Sequence, residues 1–265
     1  MKNSLSLYFH YIGLSLRGQM QYKASFIMMS IGHFFITIID FLGIWILFER
    51  FNSLQGWTLP EIALFYGMVS TAFAFAEAWP RGFDTFHNLV RTGDFDRILL
   101  RPRTAFLQII GQEFQLMRIG RLIQGIIILV WATITLSISW TFYKIILLIL
   151  SIFGGMLIFS GLFILQATLS FWSIQSLEIL NMVTYGGVET LQYPLSIYRN
   201  WFRNFFTYVI PLAFINYIPA LNILDKGDKL MNRLSWLSAP FGLLFFLICI
   251  KIWHFGIRHY RSTGS

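Results

Sequence analysis

Apolar runs close to 20 residues long recur along this chain, and short polar connections separate them. A helix rising 1.5 Å per residue crosses a hydrocarbon core of about 30 Å in such a run. Of the 265 residues 56% are hydrophobic and 12% charged, against about 25% charged in soluble domains. An all-α, polytopic integral membrane protein follows. It forms a single domain over residues 1–265, without room for a separate catalytic domain.

The formal charge of +8 raises nucleic acid as a partner, but the basic residues cluster at the ends of apolar runs. That is the pattern that orients membrane proteins, so no nucleic acid is expected. The lone cysteine, Cys249, lies inside the last apolar run and leaves no intramolecular disulfide to form. The first apolar run begins near Ala24 and is about 25 residues long, beyond a signal-peptide core of about 7 to 15 residues. It is expected to stay as an anchor.

Before it, residues 1–23 place Leu5, Phe9, Ile12 and Leu16 against His10, Arg17 and Gln21 at helical spacing. This reads as an interfacial helix or as a tail packed on the domain. The first span, Ala24 to Phe48, follows Arg17 and Lys23, which puts the N-terminus in the cytoplasm. Within it Ser30, His33, Thr37 and Asp40 share one face, either a polar path lining or an interhelical hydrogen-bond seam. The second span runs from Pro60 to Trp79 and closes with Glu77 and Arg81 at i, i+4, the spacing of an ion pair. A third segment, Ala105 to Ile138, lacks proline and is expected as one long helix whose polar first half projects as a stalk. A fourth spans Phe142 to Phe171 and holds Gly154, Gly155 and Gly161, which allow close helix contact.

The stretch from Ser173 to Ile223 has two readings. In one, Ser173 to Tyr198 crosses and Phe205 to Ile223 dips in and out as a broken re-entrant hairpin; in the other, the second part alone crosses. The last span, Trp236 to Phe255, ends in Arg258, His259 and Arg261, which places the C-terminus inside. Both termini inside demand an even number of crossings, and six are expected. About thirteen of the twenty Lys and Arg residues then fall on the cytoplasmic side and about five outside.

One polar stretch interrupts this pattern. Arg91 to Arg103 places acids first, an aliphatic triplet next, then bases and a proline. Asp94 can cap a short helix there, Asp96 suits its positive end, Arg101 its negative end, and Pro102 stops it. The loop 81–104 is therefore the place where a membrane-embedded chain meets something soluble. Other chemistry is missing from the sequence: no phosphate-binding loop ends in Gly-Lys-Ser or Gly-Lys-Thr, histidines are scattered, and no serine sits in a nucleophile elbow. A channel or carrier driven from outside the chain remains. The alternatives are a signalling or assembly protein that recruits a soluble partner without transport, and an intramembrane enzyme using Asp40 or Glu178.

The run Gly93 to Pro102, the following Phe106 and Gln108, and the pairs Tyr193-Pro194, Ile210-Pro211 and Ile218-Pro219 resemble the bacterial type-two export permeases of ATP-binding-cassette transporters, in a six-span drug or lipid export subfamily. The resemblance implies two permease chains, identical or homologous, in the bacterial cytoplasmic membrane, paired with cytoplasmic ATP-binding subunits that hold ATP and Mg. It also implies that Asp94, Asp96, Arg97, Leu99, Leu100 and Arg101 form the coupling helix. Glu178, Asn181 and Glu189 would then stand at the dimer seam or, with Ser30, His33, Thr37 and Asp40, along the translocation path. No cofactor is expected in this chain. The implied substrate is an amphipathic drug, antibiotic, peptide or lipid.

Overall fold

The computed structural model describes residues 2–173 and 177–262; for 2–5, 7 and 177–179 the description is of the backbone. In chain order the helices are α1 (Lys2–Gln21), α2 (Lys23–Arg50), α3 (Leu59–Ala78), α4 (Arg81–Asp84), α5 (Phe86–Thr92), α6 (Asp94–Leu99) and α7 (Ala105–Gln112). They continue with α8 (Ile119–Thr135), α9 (Phe142–Leu169), α10 (Leu177–Leu191), α11 (Asn200–Asn204), α12 (Tyr217–Ile223), α13 (Lys229–Leu234) and α14 (Ser238–Ile257). Among the described residues five helical stretches are long and apolar enough to cross a membrane: 23–50, 59–78, 116–135, 142–169 and 229–257. The pair 200–209 and 212–223 adds a sixth if it is read as one broken span.

The central helix is α3. From Glu61 to Glu77 every residue but Phe75 is buried, because α8 and α9 pack along it and α10 covers part of it. By contrast α2 buries only Thr37, Phe41, Ile44 and Phe48. These lie at i, i+4, i+7 and i+11, a single stripe, and most of the rest of the helix is exposed. Lipid offers no hydrophobic drive between helices, so close packing has to hold them. The α9–α14 contact shows how: a Cβ on Gly154 would lie 2.5 Å from the Ser238 carbonyl oxygen, and one on Gly242 2.6 Å from that of Gly154. Only glycine lets the two backbones approach this closely.

The region after α10 is a hairpin that enters and leaves at the same end of α3. The Tyr185 hydroxyl donates to Asp84 at the C-terminal end of α3 (3.3 Å), whereas Ser196, just beyond α10, accepts from the Trp57 indole at its N-terminal end (3.1 Å). The α10 segment therefore runs antiparallel to α3. From there α11 and a π-helical turn, Phe205–Val209, lead inward to Leu212, which packs on Gly187. Asn216 donates to the Leu191 carbonyl at 2.5 Å. The chain bends by 82° and α12 brings it back, so that Lys144 at the start of α9 donates to the Ile223 carbonyl (3.0 Å). Pro211 and Pro219 lack the amide hydrogens that a continuous helix would use, and the broken backbone survives because α10, α3 and α9 surround it.

Two local expectations fail. The third segment is not one rod: α7 stops at Gln112, and Glu113–Gln115 are extended before a 3-10 turn, Leu116–Arg118, leads into α8. The reason lies in α1, whose Ser15 hydroxyl exchanges hydrogen bonds with Phe114 N–H and C=O (3.2 Å each). Gln19 donates to the same carbonyl and accepts from Leu116 N–H (3.0 Å). Side chains thus replace the lost helical ladder, and no stalk projects. Nor do Glu77 and Arg81 pair: Arg81 pairs with Asp84, while Glu77 takes Arg118 (3.3 Å) and Arg121 (2.8 Å).

Candidate functional site

The stretch Arg91 to Arg103 forms the short helix α6, but its start differs in detail. Gly93, at φ +75°, occupies the N-cap in the left-handed conformation, and Asp94 is the first helical residue. Its carboxylate accepts from Thr92 Oγ1 at 2.7 Å and faces Arg97 at 3.5 Å. At the other end Gln108 of α7 donates to the carbonyls of Ile98 (3.1 Å) and Arg103 (3.0 Å), satisfying acceptors that a helix end leaves open. The aliphatic triplet divides: Ile98 is buried, Leu99 is 45% exposed and Leu100 86% exposed. Arg97, Arg101 and Arg103 also face outward.

The inward face of α6 is anchored in aromatic rings. Phe95 is fully buried against Phe86 (4.9 Å between centroids), Phe171 (5.6 Å) and Tyr260 (4.9 Å). Trp253 of α14 closes the cluster at 5.0 Å from Phe86 and 5.1 Å from Phe171. Most of these pairs are edge-to-face, the arrangement that the ring quadrupole favours. The cluster joins α6 to the ends of α9 and α14. Asp96 sits at its rim, accepting from Ser262 Oγ at 2.5 Å, with the Tyr260 hydroxyl buried beside it. Burial pushes the Tyr260 phenol up to about 12, and the Asp96 carboxylate adds to the rise. The phenol therefore stays neutral near pH 7.

Beneath this cluster, at the C-terminal end of α3, lies a buried ionic knot. Glu77 is held by Arg118 and Arg121, and Arg121 also lies over the Phe73 ring at 5.3 Å. Asp84 pairs with Arg81 and accepts from Gln166 and Tyr185, both at 3.3 Å. These groups tie α3, α4, α8, α9 and α10 together. Sequence reading missed Phe95, Trp253 and Tyr260 as anchors, and the signal was a cluster of aromatic residues at the ends of apolar segments. It noticed Glu77 but not the partners that a carboxylate in an apolar run needs.

The polar residues of α2 differ in burial. Thr37 is buried and its hydroxyl turns back to the His33 carbonyl (2.9 Å), while its own carbonyl accepts from Tyr66 (2.9 Å) and Gln124 (3.1 Å). Ser30 and His33 are half-buried and Asp40 is exposed. Asn181 is half-buried with an unpartnered Oδ1, and Glu189 is exposed on α10. Glu189 lies near enough to Asp40 of α2 to interact with it electrostatically. Glu178 lies in α10, but its side chain is outside the described residues.

No curated protein and no solved structure matches the chain. Residues 34–264 match the family model described as ABC-2 family transporter protein, from the first span to the tail that covers α6. The chain therefore belongs to the ABC-2 transporter family and is a membrane-embedded permease component of an ABC transporter.

Proposed function

We propose that this chain is the permease half of an ATP-driven exporter in a bacterial cytoplasmic membrane, with both termini and α6 on the cytoplasmic side. A separate ATP-binding subunit holds ATP and Mg and seats α6 in a groove. A second permease, the same chain or a homologous one, faces Asp40 and Glu189 and completes a path for an amphipathic drug, antibiotic, peptide or lipid. Membrane lipid covers the rest.

The division of α6 into two faces carries this reading. Leu99, Leu100 and Arg97 point away from the chain, while Ile98 is buried and Phe95 packs on the rings of Phe171 and Tyr260, just beyond the ends of α9 and α14. A pull on the outer face reaches two spans without a flexible link between. Closure of paired ATP-binding subunits supplies that pull, and alternating access follows if the spans of the two permeases shift against each other.

The test is Leu99→Asp and Leu100→Asp, each assayed in membrane vesicles with the ATP-binding subunit present. A charge in the seat should abolish both transport and the stimulation of ATP hydrolysis by the permease. The variants should still be found folded in the membrane, because neither side chain is buried. Normal transport by both variants would overturn the assignment.

A further inference from the structure

We propose that the segment Arg258–Ser262 is the second half of the docking surface, forming with α6 one platform, apolar at its centre and basic at its rim, that fits an acidic groove on the ATP-binding partner. This rests on the reading above and extends it to the chemistry of the partner. Both acids of α6 are already used within the chain: Asp94 by Thr92 and Arg97, Asp96 by Ser262. What α6 offers outward is Leu99, Leu100 and the guanidinium groups of Arg97 and Arg101.

The tail adds to the same surface. Tyr260 packs on Phe95, and Ser262 donates to Asp96. Arg261 lies between two residues that touch α6, and it is exposed, as is Arg258. A rim of one sign selects a partner of the other sign and speeds encounter. Anionic lipid headgroups carry the same sign as an acidic groove, but the orientation of α6 favours a protein. A helix resting on headgroups turns its apolar face to the bilayer, whereas Phe95 and Ile98 face the chain's own core.

The experiment places the photo-crosslinking residue p-benzoylphenylalanine at Leu100 or at Arg261, in native membrane vesicles. The ATP-binding subunit is identified by labelling with azido-ATP. The inference expects both positions to cross-link to the same labelled subunit, at peptides rich in Asp and Glu. It also expects Arg258→Glu with Arg261→Glu to lower the yield from position 100 at least tenfold. Cross-linking from position 100 alone, with position 261 silent or reacting with lipid, would overturn the shared platform and leave the α6 seat standing. A yield from position 100 that ignores the charge reversals would overturn the acidic groove. Silence at position 100 as well would remove the seat itself.

Discussion

At the end that carries α6, the helices meet on buried groups. Phe95 is fully buried among rings, and the Glu77 side chain is 1% exposed between two arginines. At the opposite end, around Trp57, the return of the hairpin is held by two adjacent residues that pull in different directions. Asp225 accepts from the buried Lys144 of α9 (2.7 Å), and Lys226 pairs with Glu61 of α3 (2.6 Å). Here one ion of each pair reaches solvent, Asp225 at 68% and Lys226 at 41% exposure. The same kinds of group give a fixed joint where they are dry and a breakable clasp where they are wet, because water screens charge and competes for hydrogen bonds.

The contrast breaks most visibly at the dry end. Phe95→Ala should cost about 3–5 kcal/mol, the range for truncating a buried aromatic, read as a large fall in Tm in detergent. Glu77→Ala should cost about as much, since removing one partner strands buried charge at about 3–5 kcal/mol; wild-type Tm in that variant would show that the knot is not held as described. At the wet end Asp225→Asn leaves Lys144 the Ile223 carbonyl and an amide oxygen as acceptors, so the loss should be smaller, about 1–3 kcal/mol, and adding Lys144→Met should recover much of it. Smallest is Lys226→Gln, at about 0–1 kcal/mol, a difference that 0.5 M salt should erase. A Lys226 effect as large as that of Glu77 would remove the distinction between the ends.

Much of the architecture was legible because membrane-spanning helices announce themselves locally. The extents of α2, α3, α9 and α14 agree with the apolar runs to within a few residues, and Gly154 makes the close contact expected of it. What escaped depended on distant partners. The Glu113–Gln115 break is stabilised by Ser15 and Gln19, about a hundred positions earlier in the chain, so nothing near the break announces it. Glu77 has Arg81 four residues away, yet the fold gives it Arg118 and Arg121. For the candidate site, the position and polarity of α6 were readable from Gly93 to Pro102. The use of Asp96 was not, because Ser262 lies 166 residues away.

The break between α7 and α8 also changes how force can travel. A single rod would deliver every displacement of α6 to one span. Instead α7 is fastened sideways to α1 and joined to α8 through three extended residues and a 3-10 turn, while Phe95 packs on Phe171 and Tyr260 at the ends of α9 and α14. On the coupling role proposed for α6 the linkage would be branched: one arm would move the helix that precedes the first span, the other the two spans α9 and α14. Each arm can be cut without touching the other, at Ser15 and Gln19 or at Phe95.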